Sequence, residues 1–195
     1  MPDIEIPEIE TKDPERDKLN IMIAVSVAVL STFIALSNIK DGNIVQAMTV
    51  AQSGAVDTWS QFQAKRMRQA MSENAVREGE MIREIVPAER KATVDKLIAT
   101  HKADIARYEK DKKELSEKAK GLEAEYEKLG NKDDQFDLAD AVLTLSLTMM
   151  AMTALIGKKS LLYFAWAMMA LGFFIGIGGF VGYAIHPDAL IKVLT

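Results

Sequence analysis

Hydrophobic and polar positions are sharply segregated along this chain. From residue 19 to residue 39 there is no ionisable side chain. At 1.5 Å per residue, that run is about 30 Å long, the thickness of a bilayer's hydrocarbon core. Two more apolar runs follow near the C-terminal end, roughly 136–157 and 161–185, while almost all charge lies in 3–18 and 40–140. A bilayer selects for such segregation because a charge in hydrocarbon costs several kcal/mol. The pattern predicts an all-α integral membrane protein with three transmembrane helices and a long antiparallel coiled-coil hairpin between the first and second. The segments are an acidic extended tail (1–13), a first span (14–39), a helical arm (40–132, turning near 86–87), a second span (133–157), a third span (161–185) and a short end (186–195).

Local signals set the expected boundaries. Asp13, Pro14 and Glu15 suit an N-cap, a first helical position and the positive end of a helix dipole. Asp41-Gly42-Asn43 is a possible break, and Gly130-Asn131 a helix stop. Asp133 or Asp134 can cap the second span. Val86-Pro87 interrupts the arm, since proline disfavours helical geometry at the residue before it. Within 88–129, Val94, Ile98, His101, Ile105, Tyr108, Lys112, Leu115, Ala119, Leu122, Tyr126 and Leu129 repeat at 4-3 spacing, the signature of a coiled-coil seam. The preceding stretch, 43–85, carries apolar residues at helical spacing, including Met48, Ala55, Trp59, Phe62, Met67, Met71, Met81, Ile82 and Ile85. The two stretches are nearly equal in length, each reaching about 60–65 Å, and the second span requires the chain to return to its membrane. A turn at Pro87 then sets Trp59 near Leu115 and Phe62 near Lys112.

Composition narrows the chemistry. There is no cysteine, which excludes disulfides, thiolate catalysis and Cys-based metal sites. The net charge of −4 argues against nucleic acid as a partner. His101 and His186 are far apart in sequence and read as a seam residue and an interfacial one. Asp137 and Asp140 begin the second span. A carboxylate at membrane depth is a candidate ion site, although a helix dipole also favours acids in its first turns. Asp140 is therefore a speculative ion site, with Thr144, Ser146, Thr148 and Thr153 as a conceivable polar path. In the third span, Gly172, Gly176, Gly179 and Gly182 form small-xxx-small pairs that let helices approach closely, so this face is expected to pack or oligomerise. With Trp59, Phe62, Ile98, Ile105, Tyr108, Leu115 and Leu122 of the arm, these are the expected association residues. No catalytic, cofactor-binding or metal-binding residue is expected.

Trp59, Phe62, Gln63, Ala64 and Lys65 match a W-x-x-[YF]-Q-A-K stretch. With the paired apolar runs around Gly157-Lys158-Lys159, the chain resembles an uncharacterised bacterial membrane-protein family, domain of unknown function 4337. That resemblance implies one N-terminal span, a charged helical region and two closely spaced C-terminal spans. It implies no activity, and the acidic tail is not part of it.

These readings point to a non-enzymatic membrane scaffold or accessory subunit without cofactors. It is expected to contact the lipid bilayer and to form a homo-oligomer or join a larger membrane complex. The alternative is a small oligomeric ion or solute channel, or a transporter component, built around Asp140. Arg16, Lys18, Lys158 and Lys159 favour a multi-pass topology in the bacterial cytoplasmic (inner) membrane, with the N-terminus and the 158–160 turn cytoplasmic and the arm and C-terminus opposite.

Overall fold

The computed structural model describes residues 14–183. They form three helices, α1 (Pro14–Ile85), α2 (Ala88–Ile156) and α3 (Lys159–Val181), and the described residues contain no strand. The tail 1–13, Asp13 as N-cap, the last residues of the expected third span, His186 and the end 186–195 lie outside the described residues.

Pro14 opens α1 with Glu15 and Asp17 in its first turn, where carboxylates complement the helix dipole. Val86-Pro87 separates α1 from α2, as the proline predicts. Two expected interruptions do not occur. Asp41-Gly42-Asn43 and Gly130-Asn131 are helical, and neither glycine takes a positive φ. An interior glycine costs only about 1 kcal/mol relative to alanine, while an end would leave several backbone groups unpaired. The compositional boundaries near 40 and 132 are therefore not backbone boundaries. Gly157 (φ +76°) turns the chain from α2 into α3, and Gly182 (φ +87°) ends α3, with Tyr183 N–H donating to Gly178 O at 2.9 Å. α3 thus stops four residues short of the expected 185.

Each of the three helices contains a stretch long and apolar enough to cross a membrane. The chain forms two compact units, one made by residues up to Val45 and from Gly130 onward, the other by Gln46–Leu129. In the first unit, Leu19, Ile23 and Leu30 of α1 meet Leu143 and Met150 of α2 and Leu162 and Ala165 of α3 in one buried cluster. Phe33 packs edge-on against Phe173 (centroids 4.5 Å) and Phe136 against Phe180 (5.2 Å). Three polar side chains in this unit close on partners, as burial favours. Ser146 Oγ donates to Ala165 O (2.8 Å), Gln135 Nε2 to Ile175 O (2.9 Å) and Trp166 Nε1 to Ser26 Oγ (2.8 Å). Large side chains such as Ile21, Val25, Leu36, Leu155, Phe164, Phe174 and Val181 point outward, and only 22 to 28% of each apolar stretch is buried. The apolar surface of this unit is mostly outside.

In the second unit, side-chain contacts join α1 to α2 in reverse chain order: Gly54 with Leu122, Lys65 with Asp111, Gly79 with Ile98 and Arg83 with Asp95. Their midpoints fall at 88 to 89, slightly beyond Pro87. Along the 4-3 positions of α2, Ile98 and Ala119 are buried and the others half-buried, except Tyr126, which is exposed.

Candidate functional site

Three arrangements carry the side chains singled out above. The first is the seam of the second unit. Trp59, Phe62 and Lys65 lie one helical turn apart on one face of α1 and are half-buried. Trp59 stacks edge-on with Phe62 (5.3 Å), and its indole N–H donates to Glu123 Oε1 at 2.7 Å. This partner lies two turns beyond Leu115, because the crossover is later than Pro87 and the indole is long. Lys65 Nζ donates to Asp111 Oδ2 at 2.6 Å and sits 5.4 Å from the centroid of the Tyr108 ring. That ammonium holds the Asp111 carboxyl below its ordinary range. Gln63 and Ala64 of the same motif are exposed.

The expected apolar face of α1 divides in two. Its buried positions are small or polar: Ala51, Ala55, Thr58, Ser72, Val76 and Gly79. Small residues allow close approach of two helices. A Cβ at Gly79 would lie 2.8 Å from Ile98 Cγ1. The larger residues Met67, Met71, Met81, Ile82 and Ile85 are exposed instead, with Met67 at 64% and Ile85 at 83%. With Val56 they occupy about 100° of arc on the side of α1 opposite the seam.

The second arrangement is the glycine face of α3. A Cβ at Gly172 would come within 2.5 Å of Leu143 Cδ2, at Gly176 within 2.9 Å of Phe33 Cε1, and at Gly179 within 3.0 Å of Phe136 Cζ. These three glycines are covered by side chains of α1 and α2 of the same chain. Gly182 has open space around it and serves as the helix end.

The third arrangement is a group of acids that α1 and α2 bring together in the first unit. Asp41 and Asp133 are near enough to influence each other's ionisation, and Asp137 and Asp140 act on Asp41 electrostatically. Asp41 Oδ1, Asp133 Oδ1 and Asp140 Oδ1 are sealed from solvent and have no hydrogen-bond partner. The same holds for the Oγ of Ser37, which is 1% exposed and one turn before Asp41 on the same face of α1. Burial pushes the Asp41 carboxyl above its ordinary range. The neighbouring Asp133 offsets part of that rise, and the charges of Asp137 and Asp140 add to it. Sequence reading found Asp137 and Asp140 but treated Asp41 as part of a break. The signal it lacked was the continuity of α1.

Thr144 and Thr148 are exposed, with Thr148 bonded to the Thr144 carbonyl one turn back. Thr153 does the same to Met149, and Ser146 faces α3, so these four hydroxyls do not form one line. His101 is half-buried on the seam with its Nδ1 sealed. Among the described residues, no three His, Asp or Glu side chains are placed to hold a metal ion.

A family model described as Domain of unknown function (DUF4337) matches residues 19–182. No curated protein and no solved structure matches the chain.

Proposed function

The chain belongs to the family described as domain of unknown function DUF4337, and from its helices we propose that it is a non-enzymatic, multi-pass membrane scaffold or accessory subunit. Three spans anchor it, and the helices of Gln46–Leu129 form an antiparallel coiled-coil hairpin that presents a surface for self-association or for a larger membrane complex. The observation that carries this reading is the exposed stripe Val56, Met67, Met71, Met81, Ile82 and Ile85, opposite the seam that α1 already uses. Large apolar side chains gathered in the open on one side of a helix mark a candidate interaction site. The reverse-order contacts between α1 and α2 support the hairpin. The outward-facing apolar side chains of the first unit support insertion in lipid. The ion pair of Lys159 with Glu15 joins the start of α1 to the turn before α3. That agrees with both lying on one membrane side, the cytoplasmic side of a bacterial inner membrane by the distribution of Lys and Arg.

The test is crosslinking and affinity purification of the full chain from its own membranes. An oligomer or a stable complex is expected, released when Met71 and Ile82 are both replaced by Glu. Monomers without partners, or an assembly indifferent to those two changes, would refute the proposal. A channel built on Asp140 is the second reading, favoured by its sealed oxygen. Ion flux in proteoliposomes that disappears in Asp140→Asn would replace the scaffold with it.

A further inference from the structure

The charge of the first unit is uneven. Where α1 begins and Gly157 turns α2 into α3, the cations Arg16, Lys18, Lys158 and Lys159 outnumber the acids Glu15 and Asp17. Further along α1, the groups around Asp41 are mostly acidic instead. A cavity of about 430 Å³ opens at the basic end, lined by Glu15, Arg16 and Lys159 together with Leu155, Ile156 and Gly157.

The polar part of this lining has one uncommitted member. Lys159 pairs with Glu15, so those two charges offset each other. Arg16 is exposed, and among the described residues its guanidinium has no ion pair or hydrogen bond. A guanidinium presents five N–H donors in a planar fork that matches a phosphate group. Lys158, also exposed, adds charge beside the cavity and gives α3 no side-chain cap.

The apolar part separates two kinds of anion. Leu155 is 81% exposed and Ile156 49%, and Leu19, one turn after Arg16, opens the run of α1 without an ionisable residue. A ligand in the cavity therefore meets cationic and apolar side chains together. A free phosphate ion satisfies only the cations. So do the carboxylates of the acidic sequence before Pro14. A phospholipid carries its phosphate joined to acyl chains, and basic pockets between membrane helices recognise such headgroups.

We propose that this cavity binds the headgroup of an anionic phospholipid, with Arg16 as the principal phosphate ligand and Leu155 and Ile156 against the start of its acyl chains. The inference rests on the reading of the chain as membrane-inserted.

The experiment reconstitutes the full chain in phosphatidylcholine vesicles. They contain a trace of phosphatidylglycerol or phosphatidylcholine spin-labelled on the acyl chain, and electron paramagnetic resonance reads the fraction of label held by the protein. The wild type should hold phosphatidylglycerol in preference to phosphatidylcholine. Arg16→Gln should reduce that preference about fivefold, the equivalent of about 1 kcal/mol for one cation near a bilayer surface. Arg16→Lys, which keeps the charge and loses the fork, should fall between them. Lys40→Gln, beside Asp41, should match the wild type. Equal retention of the two lipids by the wild type, an unchanged preference in Arg16→Gln, or an equal loss in Lys40→Gln would overturn the proposal. Replacing chloride by inorganic phosphate at matched ionic strength should leave the preference intact; its disappearance would assign the cavity to a soluble anion and overturn the lipid assignment. Alkaline carbonate extraction of the same vesicles tests insertion separately. A chain that stays inserted without lipid preference overturns this inference alone, whereas a chain that washes off overturns the membrane reading and this inference with it.

Discussion

Adding one methyl group at Gly172 tests how tightly α3 is held. In Gly172→Ala the new Cβ would meet Leu143 Cδ2 at 2.5 Å and Cγ at 2.6 Å, about 1 Å inside a normal carbon–carbon contact. Leu143 is fully buried, and the carbonyl oxygen of Ala139 lies 3.4 Å from the same Cβ, so neither neighbour can simply turn away. Overpacking of this kind costs about 1–3 kcal/mol. The gain in helix propensity returns at most about 1 kcal/mol. The net expectation is a destabilisation of about 1–2 kcal/mol in thermal or denaturant unfolding of the micelle-bound protein. Leu143→Ala alone leaves a cavity and should cost about 2–5 kcal/mol. The double variant should cost less than the two singles together, with a coupling of about 1–3 kcal/mol, because the added methyl enters the space that Leu143 vacates. Gly42→Ala is the control. It is also helical but has nothing within 4 Å of its Cβ, and should gain about 0.5–1 kcal/mol. Gly172→Ala as stable as that control, or strictly additive with Leu143→Ala, would refute the packing argument.

Cysteines at Gly79 and Ile98 should form an intrachain disulfide under mild oxidation, whereas a pair at Val56 and Leu97, both exposed and on unpaired levels, should not; the reverse pattern on a non-reducing gel would reject the hairpin. Lys65→Met should move the Asp111 carboxyl up toward its ordinary range in an NMR titration, with Arg107 and Lys110 still holding it down in part. Because Asp111 is lowered in the folded chain, its contribution to stability is present above the unfolded value and is lost as pH falls through the folded one, and the variant should show a weaker acid dependence. Gly182→Ala should destabilise by about 1 kcal/mol through φ strain alone, since no neighbour lies within 4 Å, and thermal unfolding unchanged from the wild type would count against it.

The α2 seam was legible because Ile98, Ile105, Leu115 and Leu122 are large, apolar and spaced 4-3. The matching seam of α1 follows the same spacing but in Ala51, Ala55, Thr58, Ser72 and Gly79, which carry little hydrophobic signal. The eye is drawn to methionines and isoleucines that face away. Here residue size, not hydrophobicity, decides which face is buried. Gly172, Gly176 and Gly179 lie against side chains of α1 and α2, and nothing in the spacing of glycines distinguishes a partner within the chain from one outside it. Asp41 was obscured by its neighbour Gly42, which has the composition of a turn. Hydrogen bonding on both sides carries the helix through, and an acid assigned to a loop becomes one facing Asp133.

The exposed stripe on α1 has a chemical vulnerability. Three of its members are Met67, Met71 and Met81, and the chain has no cysteine to intercept an oxidant first. Peroxide converts an accessible thioether to a sulfoxide, which replaces a soft apolar contact with a polar, chiral one, and methionine sulfoxide reductases reverse it. A surface that joins partners through these sulfurs would release them under oxidative stress and recover them on repair.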